Sequence, residues 1–301
     1  MKLGILGAGF SGHAIAVKAA SHGMQVWGTT RDAQKAAGFC KDGFSGVVFD
    51  GQNANQDLLN ALSDTTHLII SIAPARQENL DALDETVDPT LAALSDHTLA
   101  HIAPALEWVG YLSTIGVYGN HDGAWVDETT PVAPASERSR QRVRAEAEWI
   151  ALGRAQNLPV GIFRLSGIYG PGRNALLTAE RGKARRLVKK DQVFNRIHVG
   201  DIAQALWLAA NQKADGAFNI TDNEPAPPQD VVAYAHDLMG KTPPPPMDFE
   251  TADLTPMARS FYGENKRVSN AKSKQVLGLE YAWPDYRTAL KRMWEKDCWR
   301  G

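Results

Sequence analysis

Cysteine is almost missing from this chain. Cys40 and Cys298 are its two examples in 301 residues, and they show neither CxxC nor metal-ligand spacing, so neither a disulfide framework nor a metal site is expected. Long apolar runs are missing too. No stretch approaches the roughly 20 apolar residues of a membrane span, and the opening "MKLGILGAGFSG" has one lysine and a glycine-broken apolar run too short for a signal peptide. An excess of one charge is also lacking. Lys plus Arg is 32 against 34 for Asp plus Glu, which gives no general pull on nucleic acid or an anionic membrane. These absences predict a soluble, cytoplasmic protein with a small-molecule substrate and neither a nucleic-acid nor a membrane partner. Any anion must be held locally.

What is present is ordinary globular composition, 44% hydrophobic and 22% charged, enough for one large core or two unequal ones. The first two-thirds alternates short apolar runs with Ala-rich amphipathic segments, the pattern of a parallel α/β sheet with crossover helices. Strands are predicted at "KLGIL", "MQVWG", "GVVF", "HLIISI", "EWVGYLS" and "PVGIFRL". Helices are predicted over 10–22, 32–38, 55–62, 77–95 and 136–156. After Leu165 the regularity fades, although 200–212 still reads as a helix behind Asp201 as its N-cap. The "PPPP" at 243–246 predicts an extended surface segment. No internal repeat is visible.

Strand "KLGIL" runs directly into Gly7, Ala8, Gly9, Phe10, Ser11 and Gly12 and then into a helical segment. This is GxGxxG at a strand-to-helix junction. Gly7 allows the tight turn, Gly9 leaves room for a pyrophosphate against the backbone, and Gly12 lets the helix lie close to the strand. NAD-binding versions usually end the second strand with an acidic residue that holds the ribose 2′-hydroxyl. Here the sequence reads Gly28, Thr29, Thr30, Arg31, Asp32. With Thr30 near the acidic position and Arg31 after it, a 2′-phosphate is the better fit, so NADP is expected and NAD is the alternative. The plainer reading makes Arg31 a solvated residue and Asp32 a helix N-cap.

With "GILGAGFSG", "LSTIGVYG" at 112–119, "FRLSGIYGPGR" at 163–173 and "RIHVGDIAQAL" at 196–206, the chain resembles the extended short-chain dehydrogenase/reductase superfamily of NAD(P)-dependent epimerases and dehydratases. The resemblance runs through "GAFNITDNEP" and "VSNAKSKQVLGLEY". It implies a doubly wound Rossmann-type domain over 1–165 and a smaller substrate-binding portion over 166–301, with 197–220 returning to the first domain. It places Asp50 near the adenine, lines the cofactor with Ser71, Ile72 and Ala73, and makes Thr114, with Ser113 beside it, the hydroxyl residue that meets the substrate oxygen. A homodimer through helices 77–95 and 136–156 is a further implication.

The superfamily also carries Tyr-x-x-x-Lys on the next helix, and there this chain departs. The segment "RSRQRVRAEAEW", 138–149, puts Arg140 in the tyrosine position and Arg144 in the lysine position, or Arg138 and Arg142 if the register slides by two. No tyrosine occurs between Tyr118 and Tyr169. Arginine can supply a lysine's charge and ribose contacts, but it has no acceptor and stays protonated, so it cannot exchange a proton as tyrosine does. General acid–base catalysis is worth roughly 100- to 10,000-fold, or about 3 to 5 kcal/mol of barrier. On residues alone, the arginines also read as a solvated face with i,i+4 pairs Arg142–Glu146 and Arg144–Glu148. Tyr118, His121 and Tyr169 are other proton-exchange candidates, each also readable as a packed or loop residue.

Residues 180–191, "ERGKARRLVKKD", carry six cationic side chains after the "GIYGPGR" motif. They suggest an anionic substrate or, more plainly, a solvated face. Arg173 and Arg196 are separate anion candidates, and His198 reads as structural. Two functions follow. One is an oxidoreductase or epimerase-like enzyme acting on a small polar, nucleotide-sugar-like substrate. The other is a non-catalytic NADP-binding regulatory protein.

Overall fold

A computed structural model describes residues 1–74, 88–255 and 259–301. In chain order its strands are β1 (Lys2–Leu6), β2 (Gln25–Thr30), β3 (Ser45–Val48), β4 (His67–Ile70), β5 (Trp108–Thr114), β6 (Trp125–Val126), β7 (Val160–Leu165), β8 (Gly167–Tyr169), β9 (Arg186–Val188), β10 (Arg196–His198), β11 (Gly216–Ile220), β12 (Pro246–Asp248) and β13 (Arg267–Val268). The helices are α1 (Phe10–Ser21), α2 (Ala33–Gly38), α3 (Gln56–Leu62), α4 (Pro89–Ala93), α5 (Leu99–Ile102), α6 (Glu137–Gln156), α7 (Ala175–Glu180), α8 (Val199–Gln212), α9 (Pro228–Leu238), and two further helices, Ala271–Leu277 and Tyr286–Glu295.

Seven strands form one sheet in the order β11-β7-β5-β4-β1-β2-β3, and every neighbouring pair is parallel. This is the expected Rossmann-type α/β architecture. Parallel sheets need both faces covered, which is why their central strands read as continuous apolar runs. On one face Ile15 and Ala19 of α1 and Ile202 and Leu206 of α8 pack with Leu3, Ile5 and Phe163. On the other, Leu58 and Leu62 of α3 and Trp149 of α6 pack with Leu6, Leu68 and Ile162. Each such side chain contributes about 1.5–3 kcal/mol by leaving water.

The chain works outward from β1 to β3 and then returns to place β4 beside β1. That reversal opens a crevice above the carboxyl ends of β1 and β4, where doubly wound sheets take their ligands. A separate core of Leu176, Val231, Tyr286, Met293 and Trp299 holds the C-terminal lobe together. Helix α8 packs in the same core as α1, and β11 forms the sheet edge beyond β7.

Some expectations change. Of the helix predicted over 77–95, residues 77–87 lie outside the described residues; α4 follows, with the Asp88 carboxylate accepting from the Thr90 and Leu91 amides. The proline run, expected to be extended at the surface, ends in an exposed strand, where Pro246 opens β12 and pairs with Arg186. A proline is tolerated there as the first residue of a strand. Helix α8 is capped by His198, whose Nδ1 accepts from the Gly200 amide, and not by Asp201. The Asp201 carboxylate instead accepts from the Ala282 and Trp283 amides, tying the helix to the C-terminal lobe. Among the described residues no helix is long and apolar enough to cross a membrane, and no His/Cys/Asp/Glu group could hold a metal ion.

Candidate functional site

The glycine loop has a separate physical reason for each glycine. Gly7 lies at φ +97°, a conformation that disfavours any residue with a Cβ, and its amide donates to Thr29 Oγ1 at 2.8 Å. A Cβ on Gly12 would overlap the Gly7 carbonyl oxygen, whereas a Cβ on Gly9 would meet nothing within 4 Å. Gly12 therefore sets the close approach of α1 to β1, and Gly9 faces open space. Helix α1 has no side-chain cap and no acidic residue in its first turn. Its first amides and the positive end of its dipole are free to meet an anion. Ser11 is buried and Phe10 is partly exposed beside this opening.

The other cofactor candidates gather around the loop. The Ser71 and Ile72 amides both donate to the Leu6 carbonyl, at 2.8 and 3.2 Å, and Ile72 lies beside Gly7. Ala73 follows in an exposed position. Thr30 ends β2 half-buried and Arg31 is exposed. The Asp32 carboxylate caps α2 by accepting from the Lys35 amide at 3.0 Å. Asp50 is exposed just after β3, accepting from the Gln52 amide at 2.8 Å. The Phe49 amide before it donates to the Thr30 carbonyl, which places Asp50 beside the end of β2.

At the end of β5 the two hydroxyl residues separate. Ser113 is buried and donates to Glu146 of α6. Thr114 is half-buried and its Oγ1 accepts from the Gly116 amide at 3.1 Å. The four arginines over 138–144 of α6 divide by exposure, with Arg138 and Arg140 exposed and Arg142 and Arg144 half-buried. Arg140 donates to the Ala135 carbonyl at 3.2 Å. Arg142 turns to the Leu112 carbonyl and the Tyr111 hydroxyl, at 2.7 and 3.1 Å.

This corrects the solvated-face reading at one pair. Glu146 is 4% exposed and is engaged by Arg164 of β7, not by Arg142. Arg164 Nη2 lies 2.8 Å from one carboxylate oxygen and Nε 3.3 Å from the other. Such a buried guanidinium requires a matched acceptor. The network continues as Arg164 donates to the Tyr118 hydroxyl at 3.0 Å, and that hydroxyl donates to Asn219 at 2.8 Å. Burial raises the Tyr118 pKa, and both directions of its hydrogen bonding are used inside the protein. Tyr118 is thereby a structural residue.

Sequence reasoning missed the Glu146–Arg164 pair and the position of Ser139. Ser139 is buried next to Gly116, where an added Cβ would lie 2.8 Å from Ser139 Oγ and 3.5 Å from Thr114 Oγ1. A small hydroxyl thus stands beside Thr114. The available signal was Arg164 itself, the one charged residue in the apolar run "PVGIFRL".

Of the remaining candidates, His121 Nε2 meets the Tyr118 carbonyl at 3.0 Å. Tyr169 is buried, and burial pushes its pKa well above the usual tyrosine range. His198 stacks on Trp283 with ring centroids 4.0 Å apart. Burial lowers its pKa to about 4, which keeps the imidazole neutral. The cationic run 180–191 spends part of its charge internally. Lys189 Nζ donates to the Tyr262 carbonyl at 2.6 Å, and Arg185 donates to the Asp253 carbonyl at 3.2 Å. Arg196 donates to the Phe194 and Ala226 carbonyls.

Comparison with known proteins agrees with this architecture. The profile of the NAD dependent epimerase/dehydratase family matches residues 4–221. Protein YeeZ of Escherichia coli (strain K12) is 30% identical over 298 residues, covering 94% of this chain and 97% of that one. A functionally unknown conserved protein from Silicibacter pomeroyi DSS has a solved structure with 44% identity and a TM-score of 0.84, covering 98% of this chain and 99% of that one. The dTDP-glucose 4,6-dehydratase of Bacillus anthracis str. Ames, solved in complex with NAD, shares the fold at 20% identity and a TM-score of 0.76, over 99% and 97% of the two chains. With its glycine loop, parallel sheet and full-length relatives in agreement, the chain belongs to the NAD-dependent epimerase/dehydratase family.

Proposed function

We propose that this protein binds NADP in the crevice above β1 and β4 and acts as an oxidoreductase or epimerase-like enzyme on a small polar, anionic substrate. The observation that carries the cofactor preference is the end of β2. Arg31 is exposed there while the neighbouring acid, Asp32, is committed to capping α2. A 2′-phosphate gains a guanidinium, whereas a bare ribose diol has to share the Asp32 carboxylate with the α2 cap. The open space before Gly9 and the uncapped start of α1 suit a pyrophosphate. When bound, the nicotinamide would give or take a hydride.

In this reading Thr114 hydrogen-bonds the substrate oxygen, and Arg140 and Arg144 supply positive charge in place of the tyrosine and lysine. To take part, Arg140 has to exchange its surface contact with the Ala135 carbonyl for the ligand, a small cost for an exposed side chain. The second reading, a non-catalytic NADP-responsive protein, is favoured by one specific observation. The tyrosine position holds an arginine, and the nearby Tyr118 is locked between Arg164 and Asn219.

Calorimetry of nucleotide-free protein with NADP and NAD, followed by turnover assays on a panel of carbonyl and nucleotide-sugar substrates, tests the proposal. Tighter NADP binding with turnover supports the enzyme. Binding without turnover leaves the responsive protein standing, and absence of binding at millimolar coenzyme removes both.

A further inference from the structure

The loop Gly170–Asn174 sits against the start of α1 and is fixed from several sides. Gly170 and Arg173 exchange backbone hydrogen bonds at 2.9 and 3.0 Å, closing a tight turn. The Asn174 amide donates to the Gly170 carbonyl at 2.8 Å and to the Trp299 carbonyl at 2.7 Å. The Gly172 amide donates to the same Trp299 carbonyl at 2.9 Å, and Trp299 is itself buried in the C-terminal core. The turn is therefore a fixed mount.

That mount carries Arg173 to a place where its charge is uncompensated. Its guanidinium carbon lies 5.9 Å from the ring centroid of Phe10, the first residue of α1. Among the described residues Arg173 makes no ion pair. A cation beside the positive end of a helix is unfavourable unless an anion comes between them.

A second observation comes from the other side of the same crevice. A Cβ built on Gly170 would lie 2.7 Å from Val199 Cγ1, 3.4 Å from Phe10 Cζ and 3.5 Å from His198 Nε2, so Val199, Phe10 and His198 close in around Gly170. His198 is 3% exposed. Its Nδ1 accepts from the Gly200 amide, so in the neutral ring Nε2 carries the hydrogen. That donor is buried and has no partner among the described residues.

We propose that Arg173 is a pyrophosphate-binding arm, mounted on the turn that Trp299 and Asn174 clasp, which closes over the dinucleotide phosphates at the start of α1. The assignment rests on the dinucleotide reading above. It differs from the Arg31 role, because a pyrophosphate contact serves NAD and NADP alike. In the free protein the ring of Phe10 holds the guanidinium by a cation–π contact. Ligand entry exchanges that contact for charge-assisted hydrogen bonds to phosphate.

Calorimetry of the full chain with three probes tests the assignment. NADP carries both phosphate features, ADP-ribose carries the pyrophosphate alone, and adenosine 2′-monophosphate carries the 2′-phosphate without a pyrophosphate. Arg173→Gln is expected to weaken NADP and ADP-ribose about ten-fold while changing adenosine 2′-monophosphate less than two-fold. Asn174→Ser keeps a side-chain acceptor for the Leu177 amide but loses the two amide donations. It is expected to reproduce a smaller loss for ADP-ribose with circular dichroism unchanged. Wild-type affinity of Arg173→Gln for ADP-ribose, or an equal loss for all three probes, overturns the assignment while leaving the dinucleotide site intact. If the unmodified protein binds none of the three, the dinucleotide reading falls and takes this one with it.

Discussion

Glu146 of α6 and Arg164 of β7 meet in a buried two-point ion pair, and Ser113 of β5 donates to the same carboxylate. Three elements are thus joined at one point beneath the end of the sheet, and one of them, β5, carries Thr114. Removing one partner strands the other charge in a low-dielectric interior. Glu146→Ala is expected to destabilise the protein by about 3–5 kcal/mol, read as a lowered urea midpoint. The double replacement by methionines is expected to lose less, because no charge is left behind. A single variant within 1 kcal/mol of the parent would show that α6 is held by other means.

The two glycines of the loop are expected to behave oppositely. Gly12→Ala forces a Cβ into the Gly7 carbonyl, so about 1–3 kcal/mol of stability should be lost through overpacking. Gly9→Ala meets open space at φ −78°, and its unfolding free energy should stay within about 1 kcal/mol of the parent. Its added methyl occupies the space proposed for the pyrophosphate, so dinucleotide affinity should fall at least about ten-fold. Parallel denaturation and binding measurements separate the two effects. Undiminished binding by Gly9→Ala would place the ligand elsewhere.

Arg31→Ala should discriminate between coenzymes. A hydrogen bond to a charged group contributes about 1.5–3 kcal/mol, equivalent to roughly a 10- to 150-fold loss for NADP, with NAD nearly unchanged. Equal losses for both coenzymes would remove Arg31 from the 2′-phosphate.

Asp222 offers a pH signature. Burial is the largest influence on its carboxyl and raises its pKa to about 8. Hydrogen bonding from the Glu224 amide and the charge of Arg196 oppose the rise, while Asp285 and Glu224 add to it. The folded state therefore keeps a proton that the unfolded chain releases near pH 4. From about pH 4 to 8 this group makes stability fall as pH rises, by at most about 1.4 kcal/mol per pH unit. Asp222→Asn should flatten that slope and leave the protein relatively more stable at pH 8. His198 acts on the acid side. With its folded pKa near 4 and an unfolded value near 6.5, it removes stability as pH falls from about 6.5 to 4. Urea midpoints measured across pH 4–8 check both slopes, and identical profiles for Asp222→Asn and the parent would refute the assignment.

Much of the sheet was legible because its physics is local. "KLGIL", "HLIISI" and "EWVGYLS" are apolar runs closed by small or polar residues, and each became a strand of the central sheet. The loop at Gly7–Gly12 was legible for the same reason, since turn, approach and packing are written within six residues. What remained hidden depends on distant partners. Glu146 has a plausible local mate at Arg142, and only the assembled fold brings Arg164 within reach. Asp201 has the form of an N-cap, yet Ala282 and Trp283 claim it across 81 and 82 residues. Arg173 reads as an anion candidate in the sequence, but only the fold shows the buried Trp299 fastening its turn beside Phe10.

The placement of β11 outside β7 has a consequence for how the chain is made. During ribosomal synthesis β7 is finished at Leu165, but the strand that covers its outer rim ends at Ile220. At about 5–20 residues per second, the nascent protein spends several seconds with a row of unpaired amides and carbonyls along "VGIFRL". Such a rim invites intermolecular strand addition until β11 docks.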